Sequence, residues 1–127
     1  MPEGATPEEL RERTTTFASS VVVFCRELRR RPDARDLADQ LSRSASAVAS
    51  NYRVASRARS RREFISKLAI AVEEADETVG WLELLRRSST ATGDVVDALT
   101  KEARELLAIL AASRSTAERN TPGHSRR

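Results

Sequence analysis

Three sets of side chains in this 127-residue sequence could do chemistry, and they differ in what they could do. The first is an arginine segment. Between Leu41 and Arg62 there are six arginines and no acid: Arg43, Arg53, Arg57, Arg59, Arg61 and Arg62. Five of them fall in the ten residues from Arg53 to Arg62. Like charges at this density repel one another unless an anion offsets them. The guanidinium fork matches phosphate oxygens, so a nucleic-acid backbone is the expected partner. Contacts of that kind position a chain without reading bases, so binding should be insensitive to sequence. Few aromatics lie nearby, and no base-stacking platform is indicated. The bland alternative is a solvated basic turn that pairs with acids of a neighbouring subunit.

The second set is acidic: Glu73, Glu74, Asp76, Glu77 and Glu83. Glu73 and Glu77 share a helical face, as carboxylates of a di-metal site would, but the Glu-x-x-His motif of such sites is missing. A solvated or ion-paired face is the better expectation. The third set is the pair of lone nucleophile-type residues. Cys25 and His124 are the single cysteine and histidine. His124 lies in the terminal stretch, so Cys25 has no ordered base to activate it. Neither a metal cluster nor a Gly-rich phosphate loop is present. A non-catalytic chain with no cofactor and no metal is expected.

These side chains need a scaffold, and the composition points to helices. Charged residues make up 32%, aromatics 4%, and Gly and Pro number four each, too few turn and β-favouring residues for a sheet. Net charge is +3, and 20 of the 22 basic residues are arginine, a ratio that codon bias can also produce. One cysteine excludes an intrachain disulfide and suits a reducing compartment. No apolar run nears the ~20 residues that span a bilayer. The residues from Met1 to Glu12 lack an apolar signal core. A cytoplasmic protein without membrane contact is expected.

Four apolar seams in 4-3 steps follow one another along the chain. The first, after Thr6-Pro7-Glu8-Glu9, reads Leu10, Thr14, Phe17, Val21, Phe24 and Leu28. The second starts near Asp33 and reads Leu37, Leu41, Ala45, Val48, Tyr52 and Ala55. The third follows a capping-box pattern, Ser60 to Glu63, and reads Phe64, Leu68, Ala71, Ala75, Thr78, Leu82 and Leu85. The fourth, capped by Asp94, reads Val95, Leu99, Ala103, Leu106 and Leu110. The spacing predicts helices over about 7–30, 34–57, 61–89 and 95–118, making one domain over 1–119 and a frayed tail over 120–127. The fold class is all-α, an up-down-up-down four-helix bundle. Val22, Val23, Ile65, Ile70, Trp81, Leu84 and Leu107 lie off the seams, which predicts a second apolar face and self-association.

The middle of the chain also resembles a known family. Gln40-Leu41, Arg43-Ser44-Ala45-Ser46, Asn51, then Arg59, Ser60, Glu63-Phe64, Lys67-Leu68, Glu74-Ala75-Asp76-Glu77-Thr78 and Trp81-Leu82 occur in the order of the bacterial four helix bundle proteins found in 23S rRNA intervening sequences. That family usually has an acid shortly after the Asn segment, where this chain has Val54. The chain is also similar to the accessory variability protein of diversity-generating retroelements. This second resemblance implies a homopentameric barrel that binds nucleic acid and a reverse transcriptase. A protein-interaction scaffold without nucleic-acid binding is the alternative. Fold transfers through such resemblances more safely than function.

Overall fold

A computed structural model of the chain describes residues 5–120. Helix α1 spans Pro7–Leu28, α2 Arg35–Ser56, α3 Arg61–Arg87 and α4 Asp94–Arg119, with a 3-10 turn at Pro32–Ala34. Among the described residues there is no strand. The expected tail beyond Asn120, His124 included, lies outside the described residues.

Local chemistry sets the helix starts. Thr6 is extended and closes a reciprocal capping box with Glu9 in α1, with Pro7 in the first helical position. Ser60 caps α3 through the Glu63 amide. The Glu63 carboxylate reaches one residue further back than the box pattern predicts and accepts from the Arg59 N–H at 2.9 Å. The expected start at Asp33 and the expected cap Asp94 are both displaced. Asp33 sits inside the 3-10 turn and pairs with Arg31, and α2 starts without a side-chain cap. Gly93, at φ 109°, takes the cap position of α4, and Asp94 is its first residue. Only glycine holds that backbone region without strain.

The first three helices end one or two residues earlier than the sequence suggests, and α4 one later. α1 stops at Leu28, since Arg30 and Arg31 already turn back onto the Glu27 and Leu28 carbonyls. α3 stops at Arg87, where Ser89 adopts φ 60° and the Thr90 and Ala91 amides fold back to the Leu85 carbonyl. A left-handed residue just past a helix is where glycine is favoured. Ser89→Gly should therefore stabilise the fold by on the order of 0.5–1 kcal/mol, the relief of a side-chain clash less the extra freedom of glycine in the unfolded chain. A thermal melt that moves downward would contradict this.

The helices pack as sequential antiparallel neighbours, α1 on α2, α2 on α3 and α3 on α4. Cross-links confirm the directions: Arg11 to Ser56, Ser44 to Thr78, and Arg104 to Glu83. The fourth side of the bundle, α1 against α4, is much the loosest. Arg13 of α1 bridges it, donating to Glu102 and Glu105 of α4 at 2.7 and 2.8 Å. That pair of carboxylates, Glu102 foremost, raises the Arg13 pKa.

Two apolar clusters fill the interior. One holds Phe17, Val21, Cys25, Leu28, Leu41, Leu82, Leu85 and Leu106, and the other Leu10, Val48, Tyr52, Leu68, Ala75 and Leu110. The seams are close to those read from sequence, with four departures: Phe24, Leu37 and Phe64 are only partly buried and Val95 is exposed, while Ala38 is fully buried beside Leu37. Cys25 is fully buried and Phe24 only partly. On α4, Val96 is buried and Val95 is 60% exposed. One residue is a step of about 100° around a helix, and both valines lie within a turn of Leu99, so spacing alone leaves the choice open. Among the off-seam residues Leu107 packs against both clusters, whereas Val23 and Leu84 are exposed. No described helix is long and apolar enough to cross a membrane.

Candidate nucleic-acid interface

The α2–α3 turn is short, and the chain reverses through Arg57–Ser60. Arg53 lies in the last turn of α2 and Arg57 is its C-cap. Arg59 is in the link, and Arg61 and Arg62 open α3. All five side chains are exposed. None makes an ion pair or a side-chain hydrogen bond among the described residues, in contrast to Arg13, Arg29, Arg30, Arg31, Arg104 and Arg114, each of which meets a carboxylate. Arg53 and Arg57 sit favourably at the negative end of α2. Arg61 and Arg62 sit against the positive end of α3, an arrangement costing roughly 0.3–1 kcal/mol each that Glu63 only partly offsets. Five cations are thus held at one end of the bundle, two of them at some expense to the fold.

Arg43, the sixth candidate, is elsewhere. It lies ten residues before Arg53, about 15 Å away along α2. Its fork donates to Glu77 at 2.6 Å and Glu74 at 3.4 Å, both on α3. Hydrogen bonding from Arg43 holds the Glu77 carboxyl below its ordinary range, helped by the Trp81 indole N–H at 3.3 Å. Partial burial pushes Glu74 the other way, up, against the weaker pull of the same arginine. Three of the five acids of the stretch, Glu74, Glu77 and Glu83, are therefore ion-paired, the last with Arg104 of α4. Within the chain these acids pair with Arg43 and Arg104, not with the arginines of the turn. Glu77 is committed to Arg43 and Trp81, so it does not face Glu73 as a metal-ligand pair would. Among the described residues no group of three or more His, Cys, Asp or Glu side chains could hold a metal. Burial pushes the Cys25 thiol up to about 11, an inert environment.

Two neighbours of the arginine end were not legible as such in the sequence. Arg11 of α1 donates to Ser56 Oγ at 3.2 Å, which brings another cation beside the α2 terminus. Phe64 is only partly buried: it packs against the core cluster and also lines an open groove. Both depend on how α1 and α4 meet the turn, which no local spacing encodes.

The model of the 23S rRNA-intervening sequence protein family matches residues 9–112. The chain belongs to this family. A solved structure, that of a protein with unknown function from the S23 ribosomal protein family of Bacteroides thetaiotaomicron VPI-5482, is 29% identical. The similarity covers 86% of this chain and 97% of that one, with a TM-score of 0.80. No curated protein matches. The family name ties its members to intervening sequences of ribosomal RNA, and the solved structure brings no activity with it. Val54, where the resemblance implies an acid, is 46% exposed between Arg53 and Arg57. An acid at that position would sit among the unpaired arginines, and valine leaves them without one.

Proposed function

We propose that this family member is a non-catalytic nucleic-acid-binding bundle that contacts phosphates through Arg53, Arg57, Arg59, Arg61 and Arg62. The observation that carries the reading is the clustering of five exposed guanidinium groups without a carboxylate partner within ten residues at one end of the bundle; Arg26, Arg86 and Arg87 are exposed and without an ion pair as well, but they form no such cluster. Arg43 is the weaker contributor, because Glu74 and Glu77 already occupy its fork. The family's connection with ribosomal RNA intervening sequences makes RNA the first ligand to try, with DNA as comparison. A salt titration tests the mechanism. Each phosphate neutralised should contribute about 0.7–0.9 to the slope of log affinity against log salt, so five contacts give a slope near −4. Affinity that stays flat as salt rises would remove the proposal.

The same reading includes assembly. Val23, Val54, Leu84 and Val95 expose large apolar side chains, which supports self-association, and the resemblance to the accessory variability protein supports a ring of five. A mass measurement in solution, with and without RNA, reads this directly. The scaffold alternative would use those apolar residues for another protein, such as a reverse transcriptase. A neighbouring reverse-transcriptase gene with template and variable repeats would favour it.

A further inference from the structure

The loose α1–α4 side of the bundle has a consequence at the arginine end. There the two helices and the start of α3 enclose an open groove of about 900 Å³. Leu10 of α1, Phe64 of α3 and Ile109 and Ala112 of α4 give it an apolar lining. Two cations stand at the groove, and they differ. Arg13 is closed by Glu102 and Glu105. Arg61 is exposed and has no partner among the described residues. Arg61 and Phe64 are three apart on α3, so their Cβ atoms lie about 5–6 Å from each other.

A free guanidinium beside a partly exposed aromatic ring, with an apolar slot behind it, fits a nucleotide in two pieces. The phosphate matches the fork, and a base that has left its stack can lie against the ring. A duplex keeps its bases paired and could offer only the phosphates. We propose that the groove seats an unpaired base of a single-stranded or locally opened nucleic acid, with its phosphate on Arg61 and its ring against Phe64. The inference rests on the arginine–phosphate reading above and narrows its ligand class. A protein helix could fill the same apolar lining. Five unpaired cations within one turn of chain favour an occupant with closely spaced anions, and successive phosphates supply them.

The test uses the full chain and a short RNA carrying a fluorescent aminopurine among adenines, offered as a single strand and as a duplex. Stacking of a base on an aromatic side chain is a sizeable part of single-strand affinity, so the single strand should bind roughly tenfold or more tightly than the duplex. Aminopurine emission should rise on binding as the base leaves its stack. Phe64→Leu and Ala112→Glu should each lose that rise and most of the preference while keeping the salt slope. Ala112 is exposed, so its variant probes the groove without disturbing the core. Equal binding of both forms, unmoved by either variant, overturns the inference and leaves the phosphate reading standing. Binding of neither form by the unaltered chain removes that reading and the inference with it. A change in solution mass for Ala112→Glu with the aminopurine signal intact assigns the groove to a second copy of the chain and also overturns it.

Discussion

Replacing Arg57, Arg59, Arg61 and Arg62 together with glutamine should raise the Kd for RNA by on the order of 10²–10⁴ near 0.1 M salt and flatten the salt slope by about 3 to 4. The size follows from counterion release, with each lost phosphate contact removing close to one decade at that salt. The fold should not suffer in step. None of the four has an ion pair among the described residues, and Arg61 and Arg62 oppose the positive end of α3. Thermal melting of the quadruple variant should match or slightly exceed the original, since the two helix-opening charges cost roughly 0.3–1 kcal/mol each. A matching Arg43→Gln variant should behave in reverse. It releases Glu74 and Glu77 and disturbs the α2–α3 face, with little change in RNA affinity. Full binding by the quadruple variant would show that the arginine end is only a solvated turn. Equal loss of binding and of melting temperature would show that its charges serve the fold.

The bundle is legible in the sequence because each seam repeats over several turns and each helix meets a local stop. Leu41, Ala45, Val48 and Tyr52 can share one face of a helix and no face of a strand. Errors appear where two residues satisfy the spacing equally. Val95 and Val96 are both within a turn of Leu99, and Phe24 and Cys25 are both within a turn of Val21. The neighbouring helix decides, and its position is not local information. The same holds at the candidate site. The arginine cluster is visible because its members are close in sequence and no acid intervenes. Arg43 looks like one of them until the fold brings α3 alongside, placing Glu74 and Glu77, more than thirty residues on, at its fork. Phe64 looks like core by spacing. It borders a groove because α1 and α4 stay apart at that end, and helix separation has no periodic signature.

The α2–α3 seam supplies a second large effect. Ser44 and Thr78 are both buried, and their hydroxyls meet at 2.8 Å. Each is also within reach of a carbonyl of its own helix, Glu74 O for Thr78 at 2.7 Å and Leu41 O for Ser44 at 3.2 Å. No buried side-chain N or O atom among the described residues lacks a partner. Thr78→Val keeps the shape and removes the hydroxyl; Ser44 keeps only its longer bond to the Leu41 carbonyl, so the change should destabilise by about 0.5–1.5 kcal/mol, the net worth of a hydrogen bond. Ser44→Ala leaves the Thr78 hydroxyl its own carbonyl and should cost less. The double variant should cost less than the sum of the two, because the bond between the hydroxyls can be lost only once, and the shortfall measures the coupling. Strict additivity in denaturant unfolding would mean that the two hydroxyls satisfy their own helices and ignore each other. Coupling would mean that the pair fixes the register of α2 against α3. That register sets where Arg43 meets Glu77 and how the α2–α3 turn presents Arg57 to Arg62, so the buried pair would hold the arginine end in place from about two helical turns or more away.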